Sequence, residues 1–148
     1  MAEKENITRI LDAFNGISRV FAAMESFSGD VSISKPELLA LEVISREEGL
    51  TMSDLGRKLD ISLSTATGII DRLIEKKLVK RERNGGDRRV VRVVLTDKGR
   101  KTNLTYQKQK KEIFARMLGA LSSGEQEQLI HILEKISNFE QGKGMKND

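Results

Sequence analysis

SLSTATGIIDRLIEKKLVKRERNGGDRRVVRVVL, residues 62–95, changes its hydrophobic period part-way along. Ala66, Ile69, Ile70, Leu73 and Ile74 fall on one face of a helix. After Lys77 the period drops from 3.6 to 2: Val91, Val93 and Leu95 share one face of a strand, and Arg92 points the other way. Residues 78–83 form the partner strand, with NGGD at the bend. Just upstream, TMSDLGRKL reads as a helix of about two turns, capped by Thr51 and Asp54 and apolar at Met52, Leu55 and Leu59. A turn around Asp60 and Ile61 joins the two helices into a helix-turn-helix, and the hairpin behind it makes a winged helix. The expected class is mainly α with a small β-hairpin wing, with the winged helix-turn-helix lobe at about residues 33–95 of a single domain, 1–148.

Working outward, SKPE starts the helix before this pair: Ser34 caps, Pro36 sits in the first turn, and Glu37 completes a capping box. Leu38, Leu41, Val43 and Ile44 supply its buried stripe up to Gly49. Toward the N-terminus, Ile7, Ile10, Leu11, Phe14, Ile17, Val20, Phe21 and Met24 trace one face of a long helix that Gly29 and Asp30 end. Beyond the wing, Thr96 and Asp97 open a helix that becomes clearly apolar at Ile113, Phe114, Met117, Leu118 and Leu121. Ser122 and Glu125 cap the last one, carried by Leu129, Ile132, Leu133, Ile136 and Phe139. The terminal helices, about 5–28 and 97–140, carry more apolar surface than a small winged helix can cover. Two copies packing together would bury it, which points to a homodimer; the alternative is that both helices fold back on their own domain.

The chain's 148 residues suit one domain with a real core. It has no cysteine, which excludes thiol sensing, disulfides and cysteine ligation of zinc within it. No apolar run approaches the roughly 18 residues a membrane span needs, and MAEKENITRI lacks the layout of a signal peptide, so a cytoplasmic protein without a membrane partner is expected. The net charge of +4 is unevenly spread. Between Lys76 and Lys101, eleven Lys or Arg face three acids, a local +8, and the remainder is −4. A concentrated basic stretch is the footprint of a phosphate-backbone partner, although a charge run taken alone is more often a solvated face; with the winged helix beside it, the expected partner is double-stranded DNA.

The candidate contacts follow. Ser62, Ser64, Thr65, Thr67 and Gly68 are small or hydroxylated and precede Asp71 and Arg72. Such a helix sits deep in a major groove, where hydroxyls bond base edges or phosphates; the plainer alternative is that SLST is an ordinary helix start. Arg88 and Arg89 at the wing tip suit the minor groove. Asp87 beside them is either a turn residue or a carboxylate that orients an arginine.

The span from LTMSDLGRKLDIS to VVLTDKGR resembles the multiple antibiotic resistance regulator (MarR) family of bacterial transcription factors. Its most specific pieces are D-R-L-x-x-K-x-L-V-x-R at Asp71–Arg81, D-x-R at Asp87–Arg89 and L-T-x-K-G at Leu95–Gly99. The resemblance implies a ligand-responsive repressor that binds a near-palindromic operator as a homodimer, with residues 62–77 as the recognition helix and the first and last helices as the dimerisation unit. It also implies that Asp87 positions Arg89 in the minor groove. Family members commonly bind small phenolic, lipophilic or drug-like effectors between the dimer and DNA-binding parts. Phe14, Phe21, Met24 and Phe27 are candidates to line such an apolar cavity, the alternative being core or dimer seam. Three positions depart from the pattern: Lys77 and Asp60 stand where glycine is frequent, and Gly68 where a bulkier, often basic residue is common.

An enzyme is not expected. His131 is the one histidine and reads as a surface or interface residue; no nucleotide-binding, zinc-protease or nucleophile-elbow motif is present, and no cofactor or metal is implied. The rival readings are a winged helix used as a protein-interaction module and, more remotely, a carboxylate-based metal-dependent nuclease.

Overall fold

The computed structural model describes residues 1–24, 32–83 and 90–144. In chain order these form α1 (Ala2–Met24), α2 (Lys35–Arg46), β1 (Leu50–Thr51), α3 (Met52–Leu59), α4 (Leu63–Glu75), β2 (Val79–Arg83), β3 (Val91–Leu95), α5 (Asp97–Leu118) and α6 (Ser123–Gly144). The chain divides into two compact units, residues 1–109 and 110–148, with the division inside α5.

In the first unit, helices start where short polar side chains satisfy their free amides. Ser34 and Glu37 form a reciprocal capping box on α2, and Thr51 and Asp54 do the same for α3. The Thr51 amide and hydroxyl, with the adjacent Arg57 guanidinium, hold the Asp54 carboxyl below its usual range. Ser62 caps α4 by accepting from the Thr65 amide at 3.1 Å.

The turns before and after α4 end their helices in the same way. At the end of α3, Asp60 adopts the left-handed region (φ 54°), while the Ile61 amide donates to the Gly56 carbonyl and the Asp60 amide to Arg57. At the end of α4, Lys77 is left-handed (φ 62°), the Leu78 amide donates to the Leu73 carbonyl and the Lys77 amide to Ile74. These are Schellman bonds, with Leu78 packed back toward Leu73 and both fully buried. The positions singled out by sequence as non-glycine departures are thus the two non-glycine residues with positive φ among those described.

The core joins the apolar stripes of α2, α3 and α4 to one face of the sheet: Leu41, Ile44, Leu55, Ile70, Leu73, Leu78 and Val93 are inaccessible or nearly so. Burying each such side chain contributes roughly 1.5–3 kcal/mol. β2 and β3 pair antiparallel from Val79 opposite Leu95 to Arg83 opposite Val91. The expected hairpin is therefore present, but β3 also pairs with β1, so the sheet is three-stranded in the order β1-β3-β2. A two-residue strand has no period to read.

α5 starts against the end of α4. Thr96 donates its hydroxyl to the Lys77 carbonyl (2.6 Å) and accepts from the Gly99 amide (3.0 Å). A Cβ on Gly99 would lie 1.9 Å from the Leu78 carbonyl oxygen, so only glycine permits this approach. The motif L-T-x-K-G is the sequence form of this joint.

In the second unit, Ser122 and Glu125 cap α6 reciprocally, and the Gln126 amide group donates to the carbonyls of Leu118 and Leu121 across the turn. His131 lies exposed on α6. Along α1, Ile7, Ile10, Leu11, Phe14, Ile17 and Val20 are 40–60% exposed; along α6, Leu129, Ile130, Ile132, Leu133, Ile136 and Phe139 are 37–59% exposed. Among the described residues, no helix is long and apolar enough to cross a membrane.

Candidate nucleic-acid interface

α4 buries Ala66, Ile69, Ile70 and Leu73 and turns Ser64, Gly68, Asp71 and Glu75 the opposite way. Its two flanks are tied down by charge. On one side, Asp71 pairs with Arg81 of β2 at 2.7 Å. On the other, Arg72 Nε and Lys76 Nζ reach Glu37 of α2 at 3.2 and 2.5 Å. The polar members of the D-R-L-x-x-K-x-L-V-x-R motif are therefore brackets that set the helix between α2 and the wing, and its Leu73, Leu78 and Val79 are core.

Glu37 is the centre of one bracket. Its side chain is only 3% exposed and also accepts from the Ser34 amide. Burial by itself would push its carboxyl up, but the Lys76 ammonium, the Ser34 amide and Arg72 outweigh that and hold it below its ordinary value. The capping box was legible in sequence; the link to partners 35 and 39 residues away was not. The one available signal was the four-residue spacing of Arg72 and Lys76, which places both cations on one side of α4.

The candidate contacts of α4 sort into two groups. Ser62 is the N-cap, and its hydroxyl is committed to the Thr65 amide and to Thr65 Oγ1 (2.8 Å), while Thr67 donates to the Leu63 carbonyl at 2.9 Å. Ser64 and Thr65 lie exposed at the start of the helix, and Arg72 keeps 54% of its side chain exposed despite its bond to Glu37. Asp87, Arg88 and Arg89 lie outside the described residues. Behind them, Arg92 donates to the Gly49 carbonyl at 2.6 Å, tying β3 to the turn after α2.

Two of the effector candidates, Phe14 and Phe21, lie on α1. Phe14 is 60% exposed on α1, Phe21 lies a further two turns along, and Phe27 and the side chain of Met24 are outside the described part. A cleft of about 350 Å³ lies between the end of α2 and the start of α5, lined by Ile44, Ser45, Glu48, Leu95, Arg100, Asn103 and Leu104. Asn103 Oδ1 is buried there without a hydrogen-bond partner among the described residues, which also hold no group of three His, Cys, Asp or Glu placed to bind a metal ion.

A family model described as MarR family matches residues 31–90. The chain is 30% identical over 129 residues to the uncharacterised HTH-type transcriptional regulator YdgJ of Bacillus subtilis (strain 168), a match covering 87% of this chain and 77% of that protein. It is also 30% identical over 105 residues to the HTH-type transcriptional repressor MdtR of the same organism, covering 71% and 68%. The chain belongs to the MarR family. The crystal structure of Streptococcus pneumoniae FabT in complex with DNA has the same fold, with a TM-score of 0.81 at 24% identity over 93% of this chain and 97% of that one. This MarR-family chain is accordingly a DNA-binding transcriptional regulator, and α4 is the second helix of its helix-turn-helix.

Proposed function

We propose that the protein is a ligand-responsive repressor that binds a near-palindromic operator as a homodimer. The observation that carries this reading is the pairing of two surfaces. α4 presents a shallow polar face between ion-pair brackets, and α1 and α6 each expose an apolar stripe along their length. The stripes support dimerisation through the terminal helices, since a second copy removes them from water. In this reading α4 enters the major groove with Ser64, Thr65 and Arg72 toward the bases. Arg88 and Arg89 bring positive charge to the minor groove, and Asp87 orients Arg89.

For the effector, the cleft beside Asn103 is a candidate place in addition to the apolar face of α1. Its walls are mixed apolar and polar, from Ile44, Leu95 and Leu104 to Ser45, Glu48, Arg100 and Asn103, which suits a phenolic or lipophilic ligand with one polar group. The experiment is duplex binding as a function of salt and of an added phenol. A slope of about −0.9 in log K per phosphate contact supports DNA binding, and Arg89→Ala flattens it by about one unit. No binding of any duplex leaves the protein-interaction module as the better account, and magnesium-dependent cleavage of the duplex the nuclease. A phenol that leaves binding unchanged removes ligand response at this cleft from the proposal.

A further inference from the structure

We propose that Arg72 reads one base in the major groove from a seat over Gly68, and that Glu37, which lies on α2 outside the recognition helix, is the positioning residue that aims it. The inference rests on the DNA-binding reading of α4.

Gly68 is the first half of the observation. It occupies the middle of α4 on the side opposite the buried residues, where glycine weakens a helix relative to any ordinary residue. None of the usual reasons for glycine applies there: its φ is not positive, and no backbone approaches it. Among the described residues, the one atom within 4 Å of the place a Cβ would occupy is Arg72 Nη1, at 3.8 Å. The surface left bare at position 68 is therefore the floor on which the Arg72 guanidinium rests.

Glu37 is the second half. It takes Arg72 by Nε alone, at 3.2 Å, and the two terminal nitrogens have no hydrogen-bond partner among the described residues, which leaves their donors available. The carboxylate that holds it is itself fixed, by the Ser34 amide at 3.3 Å, by Lys76 Nζ at 2.5 Å and by burial. A guanidinium anchored in this way has lost most of its rotational freedom before DNA arrives, so little is left to lose when a bond to a base forms. The fork geometry matches the O6 and N7 acceptors of guanine, the commonest partner for a bidentate arginine in the major groove. The other side chains on the outward face are short, as Ser64, or acidic, as Asp71 and Glu75. Arg72 is the long donor-rich group among them.

The test is selection of binding sites from a random-sequence duplex pool by the full chain and its variants, each checked by thermal melting. The wild type is expected to select a guanine at one position of each half-site. Arg72→Lys keeps the charge and loses the fork, so discrimination at that position should fall by about 5–150-fold while the salt slope is unchanged. Glu37→Gln, which a capping box tolerates, and Gly68→Leu, which fills the floor, should flatten the same position and no other. Glu37→Asp, which keeps the charge but shortens the reach, is the second handle on the positioning role and should do the same. Unchanged preference in Arg72→Lys overturns the reading role of Arg72, and loss in Arg72→Lys with full preference in both Glu37 variants overturns the role of Glu37. Uniform weakening at every sequence assigns Arg72 to phosphate and overturns base reading. A wild type that selects no duplex at all instead overturns the DNA-binding assignment on which the proposal stands.

Discussion

Lys77→Gly should stabilise this protein, although it removes a side chain from the turn between α4 and β2. Lys77 holds φ at 62°, in the left-handed region that costs a residue with a Cβ roughly 1–2 kcal/mol. Glycine escapes that cost but makes the unfolded chain freer, which offsets about 0.5–1 kcal/mol. The net gain is about 0–1.5 kcal/mol, and for a chain of 148 residues it should raise the melting temperature by up to about 6 °C. No packing is forfeited, since the side chain is exposed, and the backbone bonds from Lys77 N–H to Ile74 and from Thr96 to the Lys77 carbonyl survive any substitution except proline. Lys77→Ala is the control: it loses the same charge and stem but keeps the Cβ, so the difference between the two variants isolates the backbone. The assay is urea denaturation of all three proteins at one fixed concentration, so that any association contributes equally. If the glycine variant is no more stable than the alanine variant at equal m-values, the left-handed cap is not strained and the account of this turn is wrong.

The other turn residues and surfaces are open to the same treatment. Gly99→Ala places a Cβ 1.9 Å from the Leu78 carbonyl, so α5 or β2 must shift; a loss of at least about 1–3 kcal/mol is expected by thermal or urea unfolding, and a variant of wild-type stability would refute the close joint. The Glu37 carboxyl titrates below its ordinary 4.5, so its stabilisation is complete above that value and disappears as the pH falls through the lowered folded value. Urea midpoints measured from pH 6 downward should therefore fall less steeply in Glu37→Gln than in the wild type, and parallel curves would show that the Arg72 and Lys76 bracket is not formed. Ile10→Glu and Ile136→Glu place a charge in the exposed stripes of α1 and α6; sedimentation at micromolar concentration should show these variants as monomers beside a dimeric wild type, and a monomeric wild type would remove dimerisation through those helices.

How much of the site could be read in advance differs from residue to residue. The N-cap role of Ser62 and the capping boxes at Ser34, Thr51 and Ser122 were legible because they join residues three apart, a spacing the sequence displays directly. Asp60 and Lys77 stood out as residues in places that favour glycine, and their positive φ follows from the need to end one helix sharply and begin the next element. The hydroxyl of Thr67 was legible as a polar group on α4 but not its bond to the Leu63 carbonyl, an acceptor that any threonine inside a helix has one turn back. The wing tip, Asn84–Arg89, was read as a turn carrying charge and lies outside the described residues.

By itself the sequence determined the order and nature of the helices, the hairpin and the turns, because periodicity and capping act over a few residues and need no partner from elsewhere in the chain. The tertiary structure decided the rest. It brought Glu37 beneath Arg72 and Lys76, set Gly99 against Leu78, added β1 to the hairpin and left the stripes of α1 and α6 exposed to water. Each of these is a meeting of distant segments whose partners were all visible in the sequence, but proximity in space is settled only when the core of α2, α3, α4 and the sheet closes and fixes where every other surface must lie.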